Sequence, residues 1–73
     1  MPYVNVRITR DGVTREQKAT VIAEITDTLQ RVLGKKPGLT HVVIDEVDTD
    51  NWGVGGETTT TARAREAASK SLA

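Results

Sequence analysis

Residues 3–9, Tyr3-Val4-Asn5-Val6-Arg7-Ile8-Thr9, decide the fold of this chain. Apolar and polar side chains alternate strictly along them, so that three β-branched residues share one face: Val4, Val6 and Ile8. Because successive side chains of a strand point to opposite sides of a sheet, this pattern predicts a β-strand with one covered face. The residues that follow, 10–13, are typical of a turn, and Gly12 is free to adopt a positive φ there.

A helix is predicted after this turn. Thr14 and Gln17 have the spacing of a capping box, in which each side chain binds the other residue's backbone N–H. Apolar residues then recur at helical spacing, at Ile22, Ile25, Leu29, Val32 and Leu33. Gly34 suits the left-handed residue at which many helices end, and Pro37 prevents a restart nearby. The sequence therefore predicts a helix over residues 15–33.

A second strand is predicted over residues 40–47. Val42, Val43 and Ile44 are consecutive, so both faces of this strand carry apolar side chains. Strands of this kind are usually buried on both sides, whereas the one preceding helix covers a single face. We therefore expect another subunit to cover the second face. Strand, helix and strand within ~45 residues predict a βαβ unit with parallel strands.

The remainder of the chain is predicted to form a hairpin and a tail. Residues 51–56, Asn-Trp-Gly-Val-Gly-Gly, are typical of a tight β-hairpin. Residues 58–61 favour extended or irregular backbone, and residues 62–72 favour a frayed helix. Since no repeat or linker divides the chain, we interpret its 73 residues as one α/β domain. Its core is expected over about residues 2–57, followed by a C-terminal extension at 58–73.

Composition narrows the classes of function. Ten basic residues balance ten acidic ones, which argues against a nucleic-acid-binding domain. No apolar run approaches the ~20 residues that span a bilayer, and the N-terminal residues do not have the pattern of a signal peptide. We therefore expect a cytoplasmic protein without membrane contact. The absence of cysteine and the single histidine disfavour disulfides and zinc sites, and no metal or organic cofactor is implied. Oligomerisation is the remaining common way to stabilise so small a domain.

Pro2 is the candidate catalytic residue. Removal of Met1 would leave a secondary amine at the start of the first strand. The pKa of a solvated α-amino group lies near ~7.7–8.0, and burial in an apolar pocket lowers it. An amine with a pKa near neutrality is a competent general base. If Met1 stays, the Pro2 nitrogen is an amide and cannot act in this way, and Met-Pro is by itself also an ordinary start of a chain.

The sequence resembles the short-chain 4-oxalocrotonate tautomerase family. Four stretches carry the resemblance, which spans about residues 2–57: Met-Pro-Tyr-Val-Asn-Val at 1–6, Arg-Glu-Gln-Lys at 15–18, Val-Ile-Asp-Glu-Val at 43–47 and Asn-Trp-Gly-Val-Gly-Gly-Glu at 51–57. It implies βαβ protomers that pair into four-stranded sheets and assemble as a homohexamer, with active sites at the subunit interfaces. It also implies keto–enol tautomerisation of a small 2-oxo acid or related enol, with Pro2 as general base.

Several substrate-binding residues follow from the resemblance. The family's aromatic hairpin residue falls on Trp52, which would wall the pocket together with Val54 or fill the subunit interface. The family's first arginine follows the glycine of the first turn, where this chain has Val13, and its second falls on His41. In a turn one residue longer, Arg10 stands before the glycine and is a candidate replacement, as His41 is for the second arginine.

Two further residues are candidates for substrate contact, and the missing arginines bear on the charge of the substrate. Thr9 and Arg7 share one strand face and are weaker candidates for substrate contact. For Arg10 the alternative is a solvated turn residue, and for His41 a purely structural histidine. Because two guanidinium forks that grip carboxylates are missing, the sequence disfavours a substrate with two carboxylates.

Two other functions stay open at this stage. A protonated Pro2 could act as general acid in hydration or dehalogenation of an unsaturated acid. That reaction needs a carboxylate to activate water, and the glycine-rich hairpin supplies none before Glu57. The missing arginines also fit a catalytically silent oligomeric binding protein. The acidic residues near the end of the second strand are interpreted as solvated carboxylates rather than as a cation site: Asp45, Glu46, Asp48 and Asp50.

Overall fold

The chain folds into two helices, a parallel pair of strands and a short hairpin. A computed structural model describes the backbone of residues 1–72 and the side chains of residues 1–69. The elements are β1 (Tyr3–Thr9), α1 (Arg15–Leu33), β2 (His41–Val47), β3 (Gly53–Val54), β4 (Glu57–Thr58) and α2 (Thr59–Leu72). Single 3-10 turns at Pro37–Leu39 and Thr49–Asn51 precede β2 and β3. The last residue of the predicted extension, Ala73, lies outside the described residues.

The strands β1 and β2 lie side by side in parallel and are joined through α1. Their register runs from Tyr3 opposite His41 to Thr9 opposite Val47. Five half-buried apolar residues of the two strands share the face that α1 covers: Val4, Val6, Ile8, Val42 and Ile44. A salt bridge from the Lys18 ammonium of α1 to the Glu46 carboxylate of β2 lies on the same face. The predicted βαβ arrangement and α/β class are confirmed.

The helix α1 begins and ends at the residues predicted from the sequence, 15 and 33. The Thr14 hydroxyl accepts the N–H of Gln17 at 3.1 Å, and the Gln17 side-chain oxygen accepts the N–H of Thr14 at 2.9 Å. This reciprocal pair satisfies two of the N–H groups that a helix start leaves without partners. Gly34 ends the helix with a φ of 67°, in the left-handed region that glycine adopts without steric cost.

The hairpin is confirmed, whereas the start of the tail differs from expectation. Gly55 and Gly56, with φ of 62° and 84°, form a two-residue turn between β3 and β4. The irregular backbone predicted at residues 59–61 is wrong, because α2 already begins at Thr59. The physical reason is a cap: the Thr58 hydroxyl accepts the N–H of Thr61 at 3.1 Å. Threonine disfavours helix interiors, but its hydroxyl stabilises a helix start.

A single copy of the chain has no closed core. Among residues 1–69, no side chain is buried, and Val43 on the outer face of the sheet is 41% exposed. The radius of gyration is 16.9 Å, against about 11 Å for a compact domain of this length. Such an elongated protomer leaves apolar surface that a second subunit can cover. In the part of the chain that the structure describes, no helix has the length and apolar character needed to cross a bilayer.

Candidate active site

Pro2 lies at one end of the parallel sheet, beside the start of β2. Its carbonyl oxygen accepts the backbone N–H of His41 at 2.9 Å, which extends the ladder by one residue beyond β1. Pro2 is half-buried, and the His41 side chain is exposed. Because parallel strands begin at the same edge of a sheet, the fold brings the predicted base and the predicted histidine together.

Trp52 lies at the opposite end of the sheet, on a groove of about 540 Å³. The groove is lined by residues from β1, the first turn, the hairpin and α2: Arg7, Ile8, Thr9, Asp11, Val13, Trp52, Thr59 and Arg63. The Trp52 carbonyl accepts both the N–H and the hydroxyl of Thr59, at 2.7 and 2.9 Å. These two bonds fix the point at which the hairpin joins α2. Among the sequence-predicted candidates, the groove brings together Trp52, Thr9 and Arg7.

Arg10 and Val54 stand apart from this groove. The Arg10 backbone N–H donates to the Val47 carbonyl at 2.8 Å, and its guanidinium pairs with the Asp48 carboxylate at 3.1 Å. Val54 is 71% exposed near the hairpin turn and lines a neighbouring groove of about 370 Å³. Arg63 lines both grooves.

Sequence reasoning misses two charged residues that line the Trp52 groove, Asp11 and Arg63. The Arg63 guanidinium donates through Nη1 to one carboxylate oxygen of Asp11 and through Nη2 to the other, the latter at 3.3 Å. The Thr9 hydroxyl donates to the same carboxylate at 2.6 Å and accepts from Arg63 at 3.3 Å. These bonds, Arg63 first and Thr9 second, lower the pKa of Asp11 to about 2. The pair is separated by 52 positions, so no local sequence pattern announces it.

The Pro2 end and the Trp52 groove are too far apart to act on one small molecule within a protomer. The seven residue steps from Pro2 to Thr9 span about 23 Å of extended strand. A small 2-oxo acid cannot bridge that distance. A site that uses both features therefore has to combine Pro2 of one copy with the groove of another.

The chain is similar to known tautomerases over most of its length. The family model described as "Tautomerase enzyme" matches residues 2–62. A probable tautomerase K2 of Dickeya dadantii (strain 3937) is 60% identical over 63 residues, which cover 86% of this chain and 94% of the relative. A probable tautomerase of Helicobacter pylori (strain ATCC 700392 / 26695) is 41% identical over 59 residues, covering 78% of this chain and 87% of the relative.

Solved structures show the same likeness in three dimensions. The crystal structure of DmpI from Helicobacter pylori has a TM-score of 0.77 at 37% identity and covers 82% of this chain and 98% of its own. A structure from the 4-oxalocrotonate tautomerase isozymes of Methylibium petroleiphilum has a TM-score of 0.81 at 28% identity, covering 88% and 98%. The chain thus belongs to the tautomerase family, in its 4-oxalocrotonate tautomerase group, and is an isomerase.

Proposed function

We propose that this tautomerase interconverts the keto and enol forms of a small 2-oxo acid or related enol without a cofactor, with Pro2 as the general base. The observation that carries the proposal is the position of Pro2, half-buried and hydrogen-bonded to His41 at the head of β1. After removal of Met1 this residue would present a secondary amine, the only such group that the twenty amino acids offer.

The proposed chemistry moves one proton. The neutral Pro2 nitrogen takes a proton from a carbon or oxygen of the substrate and returns it to another carbon, a 1,3- or 1,5-shift with no net gain or loss of atoms. Burial in the assembled site would keep the amine neutral near pH 7, because a low-polarity environment disfavours the ammonium form. Backbone N–H groups, with His41 beside Pro2, would stabilise the negative charge that develops on the enolate oxygen.

The proposed site needs a second copy of the chain. We place Pro2 of one protomer against the Trp52 groove of another, where the indole supplies an apolar wall and the Arg63 guanidinium supplies hydrogen-bond donors. The absence of buried side chains among residues 1–69 supports self-association, and the family resemblance favours a homohexamer. A groove of about 540 Å³ is large enough for a small oxo acid.

A hydratase or dehalogenase reaction is the second candidate, and one observation bears on it. Asp11 places in the groove the carboxylate that such chemistry needs to activate water. Its bonds to Arg63 and Thr9 lower its pKa to about 2, however, which makes it a weak base. The geometry therefore favours tautomerisation over hydration.

The test compares three forms of the protein: the processed chain, a chain that retains Met1, and Pro2→Ala. With the enol of phenylpyruvate as substrate, we expect the processed chain to be active and the Met1-retaining chain to be inactive, because an amide nitrogen cannot accept the proton. Pro2→Ala keeps a primary amine and should lose most activity while the oligomer, measured by light scattering, stays intact. Equal turnover by the processed and unprocessed chains would rule out the proline base and make His41 the next candidate. An inactive processed chain of correct mass and assembly would favour the silent binding protein.

A further inference from the structure

We propose that Asp11 determines the charge selectivity of the Trp52 groove and restricts it to substrates with a single carboxylate. The inference rests on the proposed function for the identity of the substrate, and it concerns the binding step alone. It is carried by the set of charges in the groove and by the hydrogen bonds that join two of them.

Among residues 1–69, whose side chains the structure describes, three charged side chains line the groove. Arg7 and Arg63 are cationic and Asp11 is anionic, so the lining carries one net positive charge. Arg7 also lies 3.5 Å from the Asp45 carboxylate on the outer face of the sheet, which weakens its field in the groove. A monoanion neutralises this lining, whereas a dianion brings a second negative charge that no cation among these three side chains balances.

Arg63 is the group that a substrate carboxylate would approach. Its Nη1 and Nη2 donate to Asp11 and Thr9, its charge also interacts with Glu66, and its Nε takes no part in the bonds to Asp11 and Thr9. The Arg63 side chain is about half exposed and lines the groove, so a ligand in the groove can reach its guanidinium. Arginine binds carboxylates best through two parallel N–H bonds, and Asp11 already occupies one such fork.

Asp11 therefore has two effects on an incoming anion. It offsets the Arg63 charge, and it repels any further carboxylate that enters beside it. The Thr9 hydroxyl holds the Asp11 carboxylate in place at 2.6 Å, so it cannot readily swing away. The low pKa of Asp11 agrees with this arrangement, since the carboxylate stays ionised throughout the physiological range.

The experiment measures binding without turnover. Trp52 is the single tryptophan of the chain and lines the groove, so its fluorescence reports occupancy. The probes are crotonate and fumarate, which share a four-carbon unsaturated skeleton and carry one and two carboxylates. Titrations are carried out at constant ionic strength, because surface electrostatics weaken with salt.

For the unaltered protein we expect crotonate to bind at least as tightly as fumarate. Asp11→Asn keeps the size of the side chain and removes its charge, and it should raise the affinity for fumarate relative to crotonate by about five- to tenfold. The matched control is Asp27→Asn, which removes a carboxylate paired with Arg31 on α1, away from the groove, and should leave the ratio unchanged. Arg63→Gln should weaken the binding of both probes.

An unchanged fumarate-to-crotonate ratio in a folded Asp11→Asn protein would overturn the proposal. So would a marked preference of the unaltered protein for fumarate, or the lack of any fluorescence response to either probe. If Asp11→Asn does not assemble, Asp11→Ser is titrated in its place, with the same expected shift. The result is independent of the proline base, because a selective shift in binding can appear in a protein that fails every turnover assay.

Discussion

Replacing Val43 by lysine is expected to prevent the self-association that the proposed active site requires. Val43 lies on the outer face of the sheet, opposite Asn5, where α1 does not reach. The isolated protomer exposes 5586 Å², about 1,200 Å² more than the ~4,400 Å² of an ordinary folded chain of 7.9 kDa. A standard protein interface covers about 800 Å² on each partner. The additional exposed surface of this protomer therefore corresponds to one or two interfaces with other copies.

The cost of the substitution can be worked from this geometry. With 41% of Val43 exposed in the protomer, the loss of apolar burial in the assembly amounts to about 1 kcal/mol. Enclosing a lysine ammonium in the interface adds a desolvation penalty of several kcal/mol. The penalty is smaller if the side chain extends and keeps its ammonium group in water. Even the smaller contribution weakens each interface by about fivefold, and the larger one by several powers of ten.

Light scattering and thermal unfolding over a range of concentrations provide the assay. The unaltered chain should be an oligomer at low micromolar concentration, with an unfolding midpoint that rises with concentration. Val43→Lys should be smaller or unfolded under the same conditions, whereas the control Val43→Ile should assemble normally. A Val43→Lys protein with the mass and midpoint of the unaltered chain would show that the outer face is not covered by another copy. A stable unaltered monomer would refute self-association itself.

Two further predictions concern stability and pH. Thr14→Ala removes the hydroxyl that accepts the Gln17 N–H and should lower the free energy of unfolding by about 1 kcal/mol, as measured by urea denaturation. The control is Thr28→Ala, which removes a hydroxyl that bonds within α1. Equal losses of stability in the two variants would contradict the capping role of Thr14. The Asp11 carboxyl, with a folded pKa of about 2 against ~3.9 when unfolded, stabilises the fold above about pH 4, and this contribution disappears as the pH falls through 2. Carboxyl chemical shifts should show that titration, and Arg63→Gln should move the pKa of Asp11 upward; a midpoint that does not move would remove Arg63 as its cause.

Most of the fold was predictable because its signals are local. The alternation of residues 3–9 depends only on the pleat of a strand, and the bounds of α1 follow from a cap at Thr14 and a left-handed glycine at Gly34. The start of α2 was not predicted correctly, because the threonine run before it is compatible both with extended backbone and with a helix cap. A run of threonines favours extended backbone, yet the hydroxyl of Thr58 caps a helix when the preceding hairpin holds it in place.

The candidate site was predictable only in part, because it depends on contacts between distant segments. Pro2, His41 and Trp52 are candidates that residue chemistry and family resemblance suggest, each within one short stretch. The Asp11–Arg63 pair was not found, since its members belong to the first turn and to the tail. Nor does sequence pattern reveal that Arg10 pairs with Asp48 rather than lining the Trp52 groove.

The separation of Pro2 from the Trp52 groove leads to a test of which copy supplies which residue. A Pro2→Ala protomer keeps its groove and a Trp52→Ala protomer keeps its proline, so a mixed oligomer contains some sites with both. Random mixing of equal amounts should restore about a quarter of the sites, if each site takes one residue from each of two copies.

Activity is measured in two samples. In the first, the Pro2→Ala and Trp52→Ala variants are unfolded and refolded together; in the second, they are refolded separately and then mixed. We expect recovery only after joint refolding, with both single variants shown beforehand to assemble. If joint refolding restores nothing although mixed oligomers are present, Pro2 and Trp52 belong to the same copy's site or to no common site. The about 23 Å of strand from Pro2 to Thr9, which lines the groove with Trp52, argues against the first, so that result would remove Trp52 from the catalytic pocket.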